Sequence, residues 1–129
     1  MKKTLVFVGM LSLLTARAFA EDQFTGHYTK KNGEVNVQKI SADKLKIHIN
    51  TVVGMHPCNI GEDGDAIATL KGNSATYKNA EGANVFVNFG KNKLSVKANE
   101  QANDYCGSAA VGSMDGNYSK ISTQPDFPN

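Results

Sequence analysis

The chain contains no tryptophan, only three prolines and two cysteines among its 129 residues, and a single arginine, Arg17. Scarce proline and cysteine exclude collagen-like, proline-rich and disulfide-dense scaffolds. Long apolar runs are also missing beyond Leu5–Leu14, which as a helix would be about 15 Å long. That is half of a bilayer core of roughly 30 Å, so the run does not read as a membrane span.

The residues around this run explain it. Met1-Lys2-Lys3 precedes it and Ala18-Phe19-Ala20 follows it, the basic, apolar and small-residue order of a secretory signal peptide. Residues 1–20 are therefore expected to be removed, leaving a mature chain that begins at Glu21 and is periplasmic or secreted. The whole chain has 14 Lys+Arg, 12 Asp+Glu and a formal charge of +2. Lys2, Lys3 and Arg17 leave with the signal and no acidic residue does, so 14 − 3 = 11 basic against 12 acidic residues gives −1. All remaining cations are lysines. Without the planar guanidinium fork, bidentate phosphate recognition is lost, and nucleic-acid binding is disfavoured.

In an exported chain the pair Cys58 and Cys106 reads as a disulfide. It would close a loop of about 49 residues, worth roughly 4 kcal/mol in a chain-entropy model. A zinc site is the weaker reading, because His56-Pro57-Cys58 finds no paired ligands at short spacing to complete four-fold coordination.

Asparagine and glycine punctuate short apolar stretches along the mature chain. Asn32-Gly33 separates Phe24–Lys31 from Glu34–Ile40, a hairpin signal. Leu45, Ile47 and Ile49 alternate with Lys44, Lys46, His48 and Asn50, so one face is core and the other solvent. After a loop at Gly54–Gly64 come Asp65–Lys71, Ser74–Asn79, Ala83–Phe89, Lys93–Ala98 and Gly116–Ile121. The spacing predicts an all-β protein, a small antiparallel β-barrel or sandwich of seven to eight strands with one disulfide, over residues 21–121. Residues 122–129, with Pro125 and Pro128, read as a flexible tail.

One element occurs twice. Gly26-His27-Tyr28-Thr29-Lys30 returns as Gly116-Asn117-Tyr118-Ser119-Lys120. If the first and last strands pair, these are equivalent positions where a barrel closes, each glycine allowing close backbone approach and each tyrosine burying its ring.

Catalytic patterns are thin. There is no G-x-S-x-G elbow, since Gly112-Ser113-Met114-Asp115-Gly116 has its glycines at the wrong spacing. His27 sits in the repeated element, His48 on a solvent face and His56 in a loop. The acidic run Glu62-Asp63-Gly64-Asp65 lacks the alternating ligands of a calcium loop. No catalytic residue, metal or cofactor is expected, and the chain reads as a non-enzyme. A binding corner is easier to support, because the Cys58–Cys106 bridge gathers Met55 and His56 with the glycine-rich stretch around Ser108, although the same small residues also suit close packing.

Export signal, size, an antiparallel β-barrel or sandwich, a disulfide and a Gly-x-Tyr element together resemble the small periplasmic lysozyme inhibitors of bacteria. Those families carry S-G-x-x-Y or S-G-x-Y loops that enter the cleft of the target. The corresponding residues are Thr25-Gly26-His27-Tyr28 and Asp115-Gly116-Asn117-Tyr118, with threonine and aspartate in place of the serine. The resemblance implies an inhibitor or immunity protein that blocks a cell-wall hydrolase (a lysozyme, amidase or toxin effector), with Thr25, Tyr28, Asp115 and Tyr118 as one wedge and Met55, His56 and Ser108 as another. The alternative is a small-ligand carrier using the barrel interior, where Val85, Val87 and Phe89 share a face.

Overall fold

The computed structural model describes residues 22–129; the expected signal peptide at 1–20 lies outside them. Nine strands form: β1 Gly26–Lys30, β2 Gly33–Ser41, β3 Lys44–Val53, β4 His56–Ile60, β5 Ile67–Lys71, β6 Ser74–Lys78, β7 Asn84–Gly90, β8 Lys93–Ala98 and β9 Gly116–Ser122. All but β4 close into an antiparallel barrel in the order β1-β2-β3-β5-β6-β7-β8-β9, with β9 pairing back onto β1. The chain is an all-β barrel with one extra strand.

Tight turns set this meander. Asn32 and Asn92 take φ of 62° and 57° in the β1–β2 and β7–β8 turns, the left-handed region that asparagine tolerates. The long strand β3 is shared on its outer edge. Lys44–Lys46 pairs with β5, while Ile49–Val53 pairs with β4, which the sequence reading assigns to a loop. Strand β4 lacks the alternation that marks its neighbours, and its Pro57 removes a backbone donor, which an added edge strand tolerates. Gly61 lets the chain leave it: φ is 80°, and a Cβ there would strike the Ile47 carbonyl.

Inward residues alternate along each strand as the sequence pattern requires. Leu45, Ile47 and Ile49 of β3 and Val85 and Val87 of β7 are each 0% exposed. The bulk is unevenly distributed. Tyr28 of β1 and Tyr118 of β9 are the largest fully buried side chains, whereas on β5 and β6 only Ala68 and Ala75 are fully buried, with Leu70 and Tyr77 half-buried against the same core. In the eight-strand ring β6 lies opposite β1 and β5 opposite β9, and the two alanines match the space left in a lumen that side chains just fill.

That matching makes Ala75 intolerant of bulk. Ala75→Leu should destabilise by about 1–3 kcal/mol through overpacking, read as a lower urea midpoint at unchanged m-value, while the outward Ser74→Leu on the same strand should change stability by no more than about 0.5 kcal/mol.

Candidate functional site

The repeated G-x-Y-[TS]-K elements meet at the barrel seam. Tyr28 stands opposite Lys120 and Thr29 opposite Ser119 in the β1–β9 register. Each tyrosine hydroxyl donates to the carbonyl four residues upstream, Tyr28 to Phe24 at 2.8 Å and Tyr118 to Met114 at 2.7 Å. Each lysine crosses to the other copy. Lys30 Nζ lies 5.1 Å from the centre of the Tyr118 ring and donates to the Ser113 and Asp115 carbonyls at 2.5 and 2.6 Å. Lys120 Nζ lies 5.3 Å from the Tyr28 ring and donates to the Gln23 carbonyl at 2.9 Å. The glycines make room for this exchange, because a Cβ on Gly26 would meet Lys120 Cε at 3.1 Å and one on Gly116 would meet Lys30 Nζ at 3.2 Å. The two copies form a reciprocal clasp related by a local pseudo-dyad.

This geometry places four of the expected binding residues inside the clasp. Tyr28 and Tyr118 are each 1% exposed with their hydroxyls bonded internally, so neither projects as a wedge. Thr25 Oγ1 donates to Asp22 Oδ2 at 2.5 Å and accepts from the Lys39 amide at 3.0 Å. Asp115 Oδ1 accepts from the Ala98 amide at 2.8 Å, and Oδ2 pairs with Lys97 at 3.3 Å. These four side chains hold loops to the barrel.

The other three lie outside it. Strands β3 and β4 form a hairpin with Val53 opposite His56, and its two-residue turn is Gly54, at φ 62°, and Met55. Met55 is 94% exposed, Val52 and Val53 are 38% and 39% exposed, and His56 and Ser108 are exposed. The hairpin is braced. Cys58 of β4 is joined to Cys106 of the long β8–β9 connection, the Gly107 amide donates to the Pro57 carbonyl at 3.4 Å, and Thr51 shares a 2.6 Å hydrogen bond with Ser113. The connection carries a short helix, α1 Glu100–Asn103, capped by the Asn99 side chain, and a 3-10 turn at Ser108–Ala110. Tyr105 fixes its middle by donating to Glu81 at 2.9 Å and accepting from Asn79 at 2.8 Å across the β6–β7 turn.

Of the three histidines only His56 belongs to this hairpin. His27 lies 3.7 Å from Glu34, and His48 lies 3.7 Å from Glu62. His48 faces outward as its strand position requires, yet it is 4% exposed, because the C-terminal segment covers it. Asp126 donates its amide to Asn36 Oδ1 at 2.7 Å, Asn36 Nδ2 sits 3.2 Å from His48 Nδ1, and the Phe127 ring lies 6.4 Å from the imidazole. Nothing in the alternation of β3 signals that cover; only a lone Phe127 between two prolines hints at an anchored end. Among the described residues no group of three or more His, Cys, Asp or Glu side chains is arranged to hold a metal ion. No helix among them is long and apolar enough to cross a membrane. The surface concavities are lined by outward residues such as Ile67, Thr69 and Phe86, while Val85 and Val87 are sealed in a filled interior.

Burial of the clasp couples it to alkaline pH. Desolvation, reinforced by the Asp22 charge, pushes Tyr28 up to about 12 from 10.0; burial and Asp115 likewise raise Tyr118. As pH passes 10 the unfolded chain releases these protons before the folded one does, so the native state binds more protons and stability falls with rising pH. The loss should begin near pH 10 and continue to about pH 12. A Tyr28→Phe, Tyr118→Phe double variant, less stable at pH 8, should show a shallower decline over that window in urea titrations; an equally steep one would locate the alkaline sensitivity elsewhere. No known protein family, curated protein or solved structure matches this chain.

Proposed function

We propose that this chain is an exported, non-catalytic inhibitor or immunity protein that binds a peptidoglycan-cleaving hydrolase such as a lysozyme and blocks it sterically through the β3–β4 hairpin. The observation that carries the reading is the 94% exposure of Met55 at the tip of a hairpin held by a disulfide, a strand pairing and the Thr51–Ser113 bond. A large apolar side chain held at the end of a stiff element gains free energy when a partner covers it, about 1.5–3 kcal/mol on full burial. Pre-ordering the loop lowers the entropy lost on docking, and methionine adapts to irregular clefts.

Exposed Val111, beyond the 3-10 turn, adds apolar area on the same disulfide-linked connection. Val53 and its cross-strand partner His56 share one face of the hairpin, Val52 and Pro57 the other, and Ser108 is exposed on the connection tied to it. That combination of a central apolar anchor with a polar rim suits a cleft-filling plug. The Gly-x-Tyr elements, buried in the clasp, serve the scaffold rather than the contact. The filled lumen favours this reading over carriage of a small molecule inside the barrel.

The mature, disulfide-intact protein should inhibit at least one member of a panel of lysozymes, amidases and lytic transglycosylases at near-equimolar ratio. Met55→Asp should weaken that inhibition by at least about thirtyfold, as loss of a central anchor worth ~2 kcal/mol or more does, with an unchanged thermal midpoint. A panel with neither inhibition nor complex formation would remove the proposal.

A further inference from the structure

The near-neutral mature charge conceals a strong segregation. Strands β5, β6, β7 and β8 contain no aspartate or glutamate, yet they carry Lys71, Lys78, Lys93 and Lys97. Strand β3 adds Lys44 and Lys46 and also lacks carboxylates. The acidic residues collect instead in turns and loops, as in Glu62, Asp63 and Asp65 after β4 and Glu81 after β6.

The outward side chains of this wall fall into register. Lys44 pairs with Thr69, Thr69 with Thr76, Thr76 with Phe86, and Phe86 with Lys97, forming one row across β3, β5, β6, β7 and β8. A second row runs Lys71, Ser74, Asn88 and Ser95. At the usual strand spacing the first row is roughly 19 Å long. Between its ends the surface forms an open concavity of about 700 Å³, with Ile67 and Phe86 as its apolar floor, Thr69, Ser74 and Thr76 as hydroxyl groups, and Lys71 and Lys78 at its edges. Phe86 is 43% exposed. Three of the lysines have local partners: Lys44 donates to Thr69 at 3.0 Å, Lys46 Nζ lies 4.5 Å from the centre of the Phe127 ring, and Lys97, its side chain 77% exposed, pairs with Asp115 at 3.3 Å.

We infer that this wall is a second binding surface, separate from the β3–β4 hairpin, and that its ligand is an anionic polysaccharide bearing carboxylates. Each part of the row answers one feature of such a polymer. Phe86 offers a flat apolar face for a sugar ring, the threonine, serine and asparagine side chains offer donors and acceptors to ring hydroxyls, and the lysines supply point charges for carboxylates. The absence of arginine turns the choice away from phosphodiesters, which planar bidentate forks read best. The openness of the concavity turns it away from acyl chains, which need enclosure. An acidic polypeptide would find the charges but would leave the hydroxyl rows unused.

The test is binding of the mature protein to polygalacturonate, with dextran, poly-glutamate and single-stranded DNA as comparison polymers. Support consists of binding to polygalacturonate that weakens as salt rises, no binding to dextran, and weaker binding to the other two polyanions. Phe86→Ala should lower affinity for polygalacturonate about tenfold, and Lys71→Gln with Lys78→Gln should flatten the salt dependence. Both changes are on outward positions, so far-UV circular dichroism should stay as in the parent. Met55→Asp should leave polymer binding intact, which keeps this surface distinguishable from the proposed hydrolase contact. Absence of binding to polygalacturonate, equal or tighter binding of poly-glutamate or DNA, or an unchanged affinity in Phe86→Ala would each overturn the inference.

Discussion

Closure of the barrel at the β1–β9 seam is the constraint on which the rest of the molecule depends. Most other neighbours around the ring are joined by turns or short loops, apart from β3 and β5, which the β4 excursion separates, and β8 and β9, which the long connection at 99–115 separates, whereas β1 and β9 lie at opposite ends of the sequence and register three residue pairs, as few as β3–β5 and β5–β6, with a bulge. A seam so sparsely hydrogen-bonded needs side-chain reinforcement. The clasp provides it twice over: a tyrosine hydroxyl fixes each approaching loop, a lysine reaches across to the other loop's carbonyls, and a glycine clears its path. Burial lowers the proton affinity of Lys30, with Asp115 opposing that shift, as befits a cation used to satisfy backbone carbonyls. Without closure, both edges of an eight-strand sheet would present unpaired backbone groups to other chains.

The clasp also ties down one end of the barrel's long β8–β9 connection. Lys30 takes the carbonyls of Ser113 and Asp115 just before β9, while the disulfide and Tyr105 hold the same connection at its middle. The hairpin that carries Met55 is thus supported through β4 by a segment anchored at several points. Stiffness at this end follows from the seam, since loosening β9 would release Ser113 from Thr51 as well.

Much of the fold was legible because period-two alternation records which face is buried, and asparagine and glycine record where the chain turns. The strand positions of β1–β3 and β5–β9 follow from those two signals. Strand β4 was hidden because His56-Pro57-Cys58-Asn59-Ile60 has no clean alternation and contains the one residue that sheets usually refuse. The repeat G-x-Y-[TS]-K was legible as the pair of positions where the first and last strands close the barrel over buried tyrosine rings; the exchange of lysines between the two copies was not, because it depends on the register that sets Lys120 opposite Tyr28. The cover over His48 depended on Phe127, ninety positions away from Asn36 in the case of its neighbour Asp126, a pairing that no local pattern encodes.

A lumen filled by buried side chains leaves the outer surface for contacts, and that surface is divided by the same alternation that built the core. On β5–β8 every second residue must face inward and be apolar, so charge can be placed only on the remaining positions, and there lysine stands without a single carboxylate. Acidic residues, excluded from that wall, concentrate where strands end. An overall charge near zero therefore describes neither region. Long-range steering by net charge is weak in such a molecule, but within about a Debye length of the wall, roughly 8 Å at physiological salt, the lysines act together. The exposed apolar tip at Met55 and the lysine-bearing wall of β5–β8 are thus chemically distinct surfaces of one small scaffold.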